Sequence, residues 1–82
     1  MNMTTLAKNK INSLARVLKN ENSVAFKYNG FFYEVFESAD TGYIVNIYSA
    51  DERDEDGEYR DHNLIDGGLC SGSARDAIGF ML

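Results

Sequence analysis

Cys70 and His62 are the only cysteine and the only histidine in this 82-residue chain, and they are the natural starting point for nucleophilic chemistry. Cys70 lies a turn before a predicted helix N-terminus, where the local dipole lowers a thiol pKa. His62 stands eight residues upstream, so a Cys-His pair with the imidazole as base is geometrically open. The competing reading makes Cys70 a small buried hydrophobe, the usual fate of a lone cysteine in a small domain. Ser71 and Ser73 have only the same histidine to activate them. One Cys and one His cannot close a tetrahedral zinc site without carboxylates or a second chain. The chain therefore reads as non-enzymatic, with no catalytic residue, no metal ligand set and no cofactor called for.

The second chemical feature is an acidic run, Asp51-Glu-Arg-Asp-Glu-Asp-Gly-Glu-Tyr-Arg-Asp61. Aligning Gly57 with the glycine of an EF-hand loop puts Glu52, Asp54, Asp56 and Glu58 at ligand positions. It then puts Asn63 where a bidentate glutamate is required, and a strand where the entering helix belongs. A solvated loop is the plainer reading, with Asp56-Gly57 as a turn and Tyr59 to Ile65 returning as a short fourth strand. The functional reading is a protein-binding surface: Asp51, Glu52, Asp54, Glu55, Asp56 and Glu58 present negative charge to a basic partner, including a surface that normally holds DNA or RNA.

Positive charge is segregated from this run. Residues 1–20 hold Lys8, Lys10, Arg16 and Lys19 and no acid, while the remainder sets thirteen acids against four bases, a balance of −9 within a total of −5. The basic segment reads as a helix from a Thr4 or Thr5 cap to about Asn20. Met3, Ala7, Ile11, Leu14 and Leu18 repeat at helical spacing, widened by Leu6 and Val17. Lys8, Asn12, Arg16 and Lys19 fall on the opposite side. They make either a solvated face or, through Lys8, Arg16 and Lys19, a small nucleic-acid contact. The acidic remainder argues against general nucleic-acid binding.

The elements that must position these groups centre on residues 24–50. Asn29-Gly30 between alternating apolar runs specifies a hairpin with a type I′ turn. That turn pairs Tyr28 with Phe31, Phe26 with Tyr33 and Val24 with Val35, all on one face. A third strand, Tyr43 to Ala50, follows a loop at Ser38 to Gly42, setting Val35 against Val45 and Tyr33 against Ile47. The second face collects Phe32, Phe36, Ile44 and Tyr48 around Glu34 and Asn46. It is too aromatic for an ordinary wet face. It binds a partner, it is buried in a homodimer or larger homo-oligomer, or each helix covers one face of the sheet.

Asp66-Gly-Gly-Leu-Cys-Ser-Gly-Ser73 reads as a glycine-rich connection to a last helix. Ser73 is its N-cap, and Ser73-x-x-Asp76 is a capping box with Asp in place of Glu. Ala74, Ala77, Ile78 and Met81 form its stripe, and Phe80-Met81-Leu82 are expected to pack down. The whole is a single α+β domain over residues 1–82, in the order helix, three-stranded antiparallel meander, helix. A chain of this length buries a little over about 60% of its unfolded surface. No segment is long enough to span a bilayer, and one cysteine fits a reducing cytoplasm.

The order helix, three antiparallel strands, helix resembles the double-stranded RNA-binding domain. That family opens its last helix with phosphate-binding lysines, where this chain has Ser73-Ala74-Arg75-Asp76. The tail Asp66-Gly-Gly-Leu-Cys-Ser-Gly-Ser-Ala-Arg-Asp-Ala-Ile78 is similar to segments of small orphan accessory proteins of bacteriophages and prophages. That resemblance implies a bacterial host cytoplasm and a host nucleic-acid-handling or defence protein as the partner to be bound or inhibited.

Overall fold

Asn29 and Gly30 both adopt positive φ, 53° and 84°, as a type I′ turn requires. The sequence of the hairpin therefore fixes its own register. In the computed structural model, residues 8–80 are described. They form α1 (Lys8–Glu21), β1 (Ser23–Tyr28), β2 (Phe31–Ser38), β3 (Gly42–Tyr48), a 3-10 turn (Asp61–Asn63), β4 (Leu64–Cys70) and α2 (Ala74–Gly79). The strands make one antiparallel sheet in the order β1-β2-β3-β4. Tyr28 pairs with Phe31, Phe26 with Tyr33 and Val24 with Val35. Val35 pairs in turn with Val45, and Tyr33 with Ile47. The predicted register holds at each of these pairs.

The fourth strand lies elsewhere than expected. It is Leu64–Cys70, not Tyr59 to Ile65, so most of the glycine-rich connection is sheet. Gly67 and Gly68 sit opposite Asn46 and Val45. A Cβ on Gly67 would come within 3.0 Å of the Asn46 Oδ1, so here the glycine admits a neighbour's side chain and does not break the strand. Long-range pairing with β3 overrides a local composition that reads as linker.

Both helices lie on the same face. Leu14, Ala15 and Leu18 of α1 and Ala74, Ala77 and Ile78 of α2 join Val24, Phe26, Tyr33, Val35, Val45, Ile47 and Cys70 in one core. A helix on each face is thereby excluded. Within α1, Ala15 widens the apolar stripe, whereas Val17 is 43% exposed. Thr4, Thr5, Met3, Leu6 and Ala7 of the predicted cap and stripe lie outside the described residues, as do Met81 and Leu82. The helix ends at Asn22, whose φ of 64° and bond from its N–H to the Leu18 carbonyl (2.8 Å) mark a left-handed cap. At α2 the predicted capping box forms: Ser73 Oγ accepts from the Asp76 N–H, and Asp76 Oδ2 accepts from the Ser73 N–H. Phe80, expected to pack down, is 47% exposed.

Residues 49–63 form an arm closed by its own backbone. Ser49 N–H donates to the Asn63 carbonyl (2.9 Å), Arg60 N–H to that of Glu52 (3.0 Å) and Asp54 N–H to that of Glu58 (2.9 Å). Gly57 turns the tip with φ of 83°. The arm packs on the second sheet face, where Tyr59 stacks on Tyr48 with centroids 4.6 Å apart.

Candidate functional site

Alternation along the strands gives the second face three cross-strand rows: Ser23, Phe36, Ile44 and Leu69; Ala25, Glu34, Asn46 and Gly67; and Lys27, Phe32, Tyr48 and Leu64. The arm covers Tyr48, which is buried, and leaves the rest of the face uncovered by any helix. Between arm and sheet runs an open groove of about 730 Å³. Glu34, Phe36, Asn46 and Tyr48 form its floor, and Asp54 and residues 58–62 its wall.

Charge in this groove is one-sided. Glu34, Asp54, Glu58 and Asp61 line it, against Arg60 and the imidazole of His62. Burial and the nearby Glu58 carboxylate push the Glu34 carboxyl above its ordinary range, opposed by Arg53 and by hydrogen bonding from Tyr48. Burial, with Glu34 next, raises the Tyr48 hydroxyl as well. A carboxylate held at an electrostatic disadvantage is relieved by any cation that enters.

The six arm carboxylates expected to act together divide into two groups. Asp51 pairs with Arg53 at 3.3 Å. Glu52 Oε1 lies 2.9 Å from His62 Nε2 and accepts from Asn63 Nδ2 at 3.0 Å; that hydrogen bond first, with His62 beside it, holds the Glu52 carboxyl below its usual range. Asp54 Oδ1 accepts from the N–H groups of Asp56 and Glu58. Asp51, Glu52 and Asp54 therefore build the arm. Glu55, Asp56 and Glu58 make no side-chain hydrogen bond or ion pair among the described residues and are the ones offered outward.

The apolar residues of this face divide too. Phe32 carries the Lys27 ammonium 5.6 Å from its ring centroid. Phe36 and Ile44 are half-buried beside Leu69, which is 60% exposed. Tyr48 serves as the seat of the arm and, at 5% exposed, offers little surface to the groove.

Cys70 and His62 are on opposite sides of the sheet: the thiol is buried in the core under the helices, and the imidazole lines the groove. The Cys-His pair that the spacing left open is not assembled. Among the described residues no three His, Cys, Asp or Glu side chains converge as a metal site.

Two groove residues lie outside the acidic set read from the sequence, Glu34 and Asp61. For Glu34 the signal was present, since alternation on β2 places a lone acid among aromatics. On the helical layer, Arg16 and Lys19 are exposed on α1, and α2 brings Arg75 beside them. The Lys8 side chain lies outside the described structure.

Comparison with protein-family models, with curated proteins and with solved structures finds no match to this chain. Among the described residues no helix is long and apolar enough to cross a membrane.

The raised carboxyl makes a pH prediction. A carboxyl whose folded pKa exceeds its unfolded value binds its proton more readily when folded, so its ionisation costs stability above that folded pKa. Glu34→Gln should therefore stabilise the protein at neutral pH, by less than ~1 kcal/mol after solvent screening. The gain should vanish as pH falls below the ordinary glutamate range. Paired thermal melts across that range check it; a Glu34→Gln variant less stable at neutral pH would contradict the assignment.

Proposed function

We propose that the protein is a non-enzymatic binding factor that docks its acidic groove on a basic surface of another protein. The observation that carries this reading is the groove itself: four carboxylates against one guanidinium, over a floor that includes the half-buried Phe36. An aromatic ring beside carboxylates suits arginine, whose planar cation both stacks and forms paired hydrogen bonds. Proteins that handle nucleic acids expose such arginines and lysines to bind phosphate, so this groove imitates phosphate charge. The resemblance of the tail to phage accessory proteins supports a host nucleic-acid-handling or defence protein as partner, and the lone cysteine supports a cytoplasmic setting.

Capture of the tagged protein's partners from a bacterial lysate tests this, with a Glu58→Lys/Asp61→Lys variant as control. Both positions are exposed, and neither carboxylate closes the arm. The expected result is a retained protein that duplex DNA displaces, that raised salt weakens and that the variant binds at least ~10-fold less. Equal retention by wild type and variant, or no displacement by DNA, would overturn the reading.

A further inference from the structure

The helical side of the molecule carries a second depression, of about 350 Å³, lined by Asn12, Ala15, Arg16, Lys19, Asn20 and Arg75. Three cations converge there with no carboxylate in the lining, in a chain whose net charge is −5. Arg75 Nε donates to Asn12 Oδ1 at 2.8 Å, which pins the guanidinium against α1 and leaves its two terminal nitrogens for a ligand. The acid next to it in sequence does not neutralise it, because the Asp76 carboxylate is turned into the capping box on Ser73. None of Arg16, Lys19 and Arg75 is ion-paired among the described residues.

We propose that this notch binds a phosphate group. Arg75 and Arg16 supply the planar N–H donors that match its oxygens, and Lys19 adds a point charge. Arg75 is already oriented before the ligand arrives, so less side-chain entropy is lost on binding. This assignment uses none of the groove residues and stands independently of the proposed protein partner. The same chemistry is offered by free phosphate and by a nucleic-acid backbone.

The test is a titration of the ¹⁵N-labelled protein followed at the backbone amides of residues 12–20 and 74–79, and at the Arg75 Nε–Hε resonance wherever Arg75 is retained. One arm uses inorganic phosphate, one uses a short DNA duplex, and sodium chloride at matched ionic strength is the control. A saturable shift with phosphate at a Kd of order 1 mM is expected, weakened at least ~10-fold by Arg75→Gln and by Arg16→Gln. Asn12→Ala keeps all three charges and should weaken binding a few-fold through loss of orientation. Tighter binding of the duplex, with a steep salt dependence, identifies the backbone as the source. Binding of the duplex no tighter than phosphate identifies the free anion. A shift that chloride reproduces, or none up to about 50 mM phosphate, refutes the site.

Discussion

Tyr59→Ala should cost ~3–5 kcal/mol of folding stability and take the groove wall with it. Tyr59 is 6% exposed although it belongs to a connection between strands. Its ring lies 4.6 Å from that of Tyr48 at an interplanar angle of 22°, and the Arg53 guanidinium carbon lies 4.0 Å from its centroid. Stacking and cation–π contact each add about 0.5–1.5 kcal/mol to the area buried. The loss is large because the total stability of such a domain is only about 5–15 kcal/mol. It also uncovers Tyr48, so the near-ultraviolet circular dichroism of the tyrosines should fall while the far-ultraviolet spectrum persists. Tyr59→Phe keeps the ring and should stay within about 1 kcal/mol of wild type. A Tyr59→Ala variant equally close would mean that the arm gains little from the sheet.

Gly42→Ala is expected to destabilise by ~2–4 kcal/mol, far more than Gly30→Ala. Both glycines have positive φ, 96° and 84°, so both substitutions incur the left-handed penalty of ~1–2 kcal/mol. They differ in what the new methyl meets. At Gly30 nothing lies within 4 Å, whereas at Gly42 the Cβ would stand 2.8 Å from the Cys70 carbonyl oxygen and 3.3 Å from Ser71 Cα. Those are backbone atoms, held where β4 leaves the sheet beside Tyr43 and leads to α2. They cannot yield without loosening β4 or the entry to α2. Urea unfolding of the two variants isolates the contact, since subtracting one loss from the other removes the shared conformational term. Equal losses would show that the β4 end gives way freely.

The fold was legible wherever local chemistry fixes geometry. Asn29-Gly30 set the hairpin register, and Ser73 with Asp76 set the start of α2. It was illegible where a distant strand decides. Leu64–Cys70 has the composition of a linker and becomes a strand only because β3 offers it a partner. Asn22 ends α1 in a left-handed cap that sequence did not flag, since asparagine adopts that conformation without the signature a glycine gives. The site was half visible. The acidic run announced its charge, but nothing local revealed that Glu52 reaches across to His62 and Asn63 at the base of the arm. Glu34 reaches the groove through alternation on β2. Arg75 reaches Asn12 across 63 residues of sequence, a contact no short-range pattern encodes.

The sheet stands between the groove and the notch, and side-chain alternation assigns its two sides to alternate residues along each strand. Energetic cross-talk between substitutions on the two surfaces should accordingly be slight, with combined variants additive to within about 0.3–0.5 kcal/mol. For evolution this is a form of modularity: one surface can drift or specialise while the other is held constant, and neither change has to renegotiate the hydrophobic interior.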